Sequence, residues 1–89
     1  MILKSKGDYY NLDRFSHFCV ELSPCCVKAF YPFFSGTEDH FPGYEILYKT
    51  HDEKEAKSVL DRLMTIYAEG ETKLLDLDTI IEEIRRNAT

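Results

Sequence analysis

The chain has 89 residues, 44% hydrophobic and 30% charged, a balance that suits one small soluble domain and leaves no room for a second core. Its formal net charge is -5, with ten acidic and six basic side chains after residue 50 against six and five before it. That excess argues against nucleic acid and other polyanions as partners, because such binding draws most of its affinity from Lys and Arg.

No stretch approaches the ~18 apolar residues of a membrane-spanning helix, and residues 1–4 are too short for a signal peptide. The expectation is a soluble cytoplasmic protein without membrane association. Cys19, Cys25 and Cys26 form an odd set with two members adjacent, which predicts reduced thiols rather than disulfides.

Residues 1–12 predict a short first strand or a pair of strand fragments interrupted by a turn at residues 4–8. Residues 11–14 follow as a tight connection in which Asn and Asp bond to nearby backbone. Over residues 15–22 apolar and polar positions alternate. Phe18, Val20 and Leu22 share one face, and His17, Cys19 and Glu21 share the other with Phe15. A turn at residues 23–26, with Pro24 in a favoured turn position, leads into a second run carrying Val27, Ala29, Tyr31 and Phe33 on alternate positions. Together these predict a β-hairpin, and Pro32 predicts that its second strand lies at an edge or breaks near Tyr31. Residues 35–43 collect the breakers and form the one substantial loop. Residues 44–49 resume alternation with Tyr44, Ile46 and Tyr48 on one face.

Residues 52–70 carry the clearest signal. Ala56, Val59, Leu60, Leu63, Met64 and Tyr67 fall on one stripe of a helix, with Ile66 at its margin. Asp52 and Glu55 are spaced as a capping box, and Gly70 supplies the left-handed stop. Beyond it, residues 73–77 alternate briefly and predict an edge strand. Leu77, Ile80, Ile81, Ile84 and Ala88 then predict a short C-terminal helix with Thr79 and Glu82 as a second capping box. Arg85 and Arg86 complement the dipole at its end. Strands followed by helices predict a single α+β domain over residues 1–89. Its expected form is an antiparallel meander of three to four strands, with the long helix on one face and a short C-terminal helix.

Residues 9–15 (Tyr9-Tyr10-Asn11-Leu12-Asp13-Arg14-Phe15) and 51–56 (His51-Asp52-Glu53-Lys54-Glu55-Ala56) resemble stretches of small bacterial and phage proteins built on a β-meander plus a helix. The resemblance implies that fold and setting, and it transfers no catalytic residue.

Several clusters invite chemistry and do not meet its requirements. His17, Cys19, Cys25 and Cys26 are zinc-type ligands, but no Cys-x-x-Cys pair exists and adjacent strand residues point to opposite faces. His17 and Cys19 share a face, yet neither an orienting carboxylate nor an oxyanion element accompanies them. Glu38, Asp39 and His40 are contiguous and lack the alternating spacing of a calcium loop. The expectation is therefore a non-enzyme with no metal and no cofactor.

The aromatic distribution is the stronger signal: of six Phe and six Tyr, eleven precede position 50. A sheet with helices on one side buries one face only, so rings are expected on the other. Phe30, Tyr31, Phe33, Phe34, Phe41 and Tyr44 are the expected interaction residues, for a protein partner or a second copy in a homodimer. Two alternatives are a small-molecule site lined by Tyr44, Tyr48 and Phe33, and an acidic inhibitor of a nucleic-acid-binding protein.

Overall fold

Helix α1, Glu53–Glu69, runs between the expected ends: Asp52 accepts hydrogen bonds from the N–H groups of Lys54 and Glu55 at 2.9 and 3.3 Å, and Gly70 adopts φ 74°. The capping box is only half formed. The N–H of Asp52 donates to Thr50 Oγ1 at 3.2 Å, while Glu55 turns away to bond Tyr48 and Arg85. A charged fork and a phenol outbid the weaker backbone contact for the same carboxylate.

The computed structural model describes residues 1–22, 25–32 and 43–87. Ahead of α1 come β1 (Ile2–Ser5), β2 (Asp8–Asn11), a single 3₁₀ turn (Leu12–Arg14), β3 (His17–Leu22), β4 (Cys25–Phe30) and β5 (Tyr44–Lys49). After it come β6 (Leu74–Asp76) and α2 (Leu77–Asn87). The class is α+β, as expected, with β3-β4-β5 forming the antiparallel meander. The N-terminal fragments do not extend it. They make a second sheet in the order β2-β1-β6, with β1 and β2 antiparallel and β6 running parallel to β1. A parallel pair needs a long crossover, and here it contains the meander and α1.

Each helix has its own sheet: α1 lies on β3 and β4, α2 lies on β1 and β6, and the helices pack against each other. One cluster of buried side chains joins the layers, with Leu3 from β1, Val27 and Ala29 from β4, Leu47 and Tyr48 from β5, Val59 and Leu63 from α1, and Ile80 from α2. Leu60, Met64, Ile66 and Tyr67 are half-buried at its margin.

Three further differences have local causes. Helix α2 starts at Leu77, ahead of the start that a Thr79 cap would set, because Asp76 Oδ1 accepts from the N–H of Asp78 at 3.0 Å; Thr79 is inside the first turn rather than capping it. Strand β4 is central in its sheet and stops at Phe30, so of the two alternatives for Pro32 the edge is overturned and the break near Tyr31 holds. In β5, Val27 pairs with Tyr48 and Lys28 with Ile46, which leaves Leu47 as a bulge. The extra residue shifts the alternation, so Tyr48 faces the helix while Tyr44 and Ile46 face the other way.

Candidate interaction surface

The meander has two chemically different faces. Phe18, Val20, Val27, Ala29 and Tyr48 belong to the core beneath α1. By alternation and register the opposite face is three cross-strand rows: His17, Phe30 and Tyr44; Cys19, Lys28 and Ile46; Glu21, Cys26 and Lys49. The helix that packs on this sheet, α1, lies against the core side of β3 and β4, and on the opposite rows Cys26 is fully buried whereas His17 and Lys49 are exposed.

The first row is an aromatic strip across all three strands. The His17 and Phe30 ring centroids are 5.4 Å apart, those of Phe30 and Tyr44 5.8 Å, with tilted planes in both pairs. Such contacts stabilise by about 0.5–1.5 kcal/mol each, enough to restrict the rotamers of these rings and hold them as a preformed patch. Phe30 and Tyr44 are half-buried and His17 is exposed.

Lys28 crosses the centre of the face. Its ammonium bonds Glu21 at 3.0 Å and sits 4.2 Å from the centre of the Tyr44 ring, and its side chain is only 13% exposed. The Glu21 carboxylate holds the Lys28 ammonium above its usual value. Cys19 lies beside this pair. Burial first, and then the Glu21 charge, push its thiol up, which disfavours the thiolate that a nucleophile needs. Among the described residues no group of three His, Cys, Asp or Glu side chains is arranged to hold a metal ion.

The expected interaction residues are divided by this geometry. Phe30 and Tyr44 come together on the rows. Tyr31 follows β4 on the core side, its ring 4.8 Å from Phe15 and its hydroxyl donating to Glu45 Oε1 at 3.2 Å. Burial, then the Glu45 carboxylate, raise its phenol above the usual value. Phe33, Phe34 and Phe41 lie outside the described residues.

Sequence reasoning missed the stacking of His17 on Phe30. The pairing of Leu22 with Cys25 sets that register, and starting the second strand at Cys25 instead of after Cys26 would have given it in advance.

A second concavity opens along β5 where the β1–β2 turn meets it. It has a volume of about 470 Å³ and is lined by Lys6, Asp8, Tyr10, Tyr44, Glu45 and Ile46 among others. The Tyr10 phenol is raised by burial and then by Asp8 and Glu45, so two carboxylates bear on this hydroxyl. Tyr44 and Tyr48 both line the groove although the bulge directs them to opposite faces of the strand. The expected third ring, Phe33, lies outside the described residues.

Among the described residues no helix is long and apolar enough to cross a membrane. No protein-family model matches the chain, and no curated protein or solved structure matches it significantly.

Proposed function

We propose that this protein is a small non-enzymatic interaction module, of the accessory or regulatory kind, working through the face of the β3-β4-β5 sheet that α1 does not cover. The carrying observation is the His17–Phe30–Tyr44 strip, a set of rings held against one another on a three-stranded platform with a charged pair beside them. Aromatic side chains that are already ordered lose little entropy on binding, which is why they recur at interface centres. The resemblance at residues 9–15 and 51–56 supports a bacterial or phage setting.

The test compares the proteins captured from a native-host lysate by the wild-type chain and by a Phe30→Ser/Tyr44→Ser variant of unchanged melting temperature. Loss of the specific partner with the variant is expected, and an unchanged set of captured proteins would overturn the reading.

The groove along β5 favours one alternative, a small-molecule-binding domain. Its volume falls in the usual range for ligand pockets, about 300–1,000 Å³, and it offers the Tyr10 hydroxyl and two carboxylates beside the Tyr44 ring. A small molecule that raises the melting temperature of wild type and of Phe30→Ser, but not of Tyr10→Phe, would favour it.

A further inference from the structure

Resting on the interaction-module reading, we infer that the partner seated on this face is a second copy of the chain, related by a two-fold axis parallel to β4. The argument comes from the corners of the three-row face. Glu21 occupies one end of β3, and Lys49, in the same cross-strand row, occupies the corresponding end of β5. A two-fold axis along β4 lays β3 of one copy over β5 of the other, so Glu21 meets Lys49 of the second copy at both lateral edges of that row. It also lays His17 over the second copy's Tyr44, Cys19 over its Ile46, and Phe30 over its own equivalent.

The other face-to-face arrangement has its axis across the strands. It sets Glu21 opposite His17 and Lys49 opposite Tyr44, with no carboxylate–ammonium pair. Charge complementarity therefore selects the first, and complementary charge acts mainly on orientation and encounter rate. The one like-charged meeting, Lys28 with its equivalent, is softened because each ammonium is already paired with Glu21, lies against Tyr44 and is mostly covered. Strand directions in packed sheets stay within about 30° of each other, which keeps these pairings near the axis. Three strands make a small face beside the roughly 800 Å² per partner of a stable interface, so the dimer is concentration-dependent.

Sedimentation analysis from about 5 to 500 μM, spanning micromolar affinity, reads this directly. Wild type is expected to dimerise over that range. Glu21→Lys and Lys49→Glu, each folded by circular dichroism, are expected to stay monomeric alone because each sets like charges at both corners. Mixing the two variants restores opposite charges at both corners, and a heterodimer is expected. Lys49 is exposed, so Lys49→Glu remains a fair test even if Glu21→Lys misfolds.

A monomeric wild type throughout the range, single variants that still dimerise, or a mixture of folded variants that stays monomeric would overturn the inference. A monomeric wild type that captures a different protein through Phe30 and Tyr44 would sink the dimer and leave the module reading standing. Capture indifferent to both rings would sink the module reading as well.

Discussion

Arg85 closes a two-pronged hydrogen bond on Glu55, Nε to Oε2 at 3.2 Å and Nη2 to Oε1 at 3.1 Å, and so ties α2 to α1. The same carboxylate accepts the hydroxyl of Tyr48, adding β5 to the junction. Tyr48→Phe leaves the ring in the core and removes one bond to a charged acceptor. The expected cost is about 1–2 kcal/mol, read by urea unfolding; an unchanged midpoint would show that the junction does not contribute.

The junction also sets a pH dependence. Arg85, and after it Tyr48, hold the Glu55 carboxyl below its ordinary value of 4.5 in the folded state. The stabilisation is present above the unfolded value and is lost as pH falls through the depressed folded one. Asp13, lowered first by the Tyr67 hydroxyl that donates to it at 2.5 Å, adds in the same direction. Wild type should lose stability as pH drops from about 5 to about 3, and Glu55→Gln should lose less over the same interval. Parallel pH profiles would remove Glu55 from the account.

Ser5 joins the two sheets through one bond, its hydroxyl donating to the Leu47 carbonyl at 2.8 Å in a buried setting. Leu47 has no partner residue on β4, and Ser5 supplies a donor for its carbonyl. Ser5→Ala should cost about 1–3 kcal/mol by leaving a buried acceptor unpaired, a large effect for one oxygen. Thermal unfolding with no shift would mean that water replaces the hydroxyl.

The β1–β2 connection is a two-residue turn with Lys6 at φ 50° and Gly7 at φ 86°, the signs of a type I′ hairpin. No atom stands within 4 Å of a Cβ built on Gly7, so Gly7→Ala should cost about 1–2 kcal/mol from backbone conformation alone. Lys6→Asn should stabilise by up to about 1 kcal/mol, since Asn tolerates the left-handed region. Opposite signs for these two melting shifts are the expected result.

Leu63 is fully buried between α1 and the sheet, whereas Leu60 on the same helix is half-buried. Leu63→Ala should cost about 2–5 kcal/mol and Leu60→Ala clearly less. Equal urea midpoints for the two variants would contradict this division of the helix surface.

Helix α1 was legible to its ends because every signal that defines it is local: a 3.6-residue apolar stripe, Asp52 before it and Gly70 after it. The pairing of β3 with β4 was legible for the same reason, its alternation lying in neighbouring stretches of the chain, although Cys25 and Cys26, expected in the turn, belong to β4. The shared face of Phe30 and Tyr44 was not legible, because alternation over residues 44–49 groups Tyr44 with Tyr48 and the bulge at Leu47 separates them. The N-terminal strands could be seen, but not their partner. Leu3 pairs with Leu75, and no local pattern records a contact between the two ends of a chain.

The sequence by itself determined the α+β class and the long helix with its buried stripe, both consequences of side-chain periodicity over short windows. Tertiary structure alone decided that the strands divide into two sheets and that Leu47 bulges. It alone decided that Glu55 serves Tyr48 and Arg85 instead of its own helix end. The reason is physical: each of those outcomes is a competition among partners distant in sequence, settled by which contacts remain available once the apolar surfaces have been buried together.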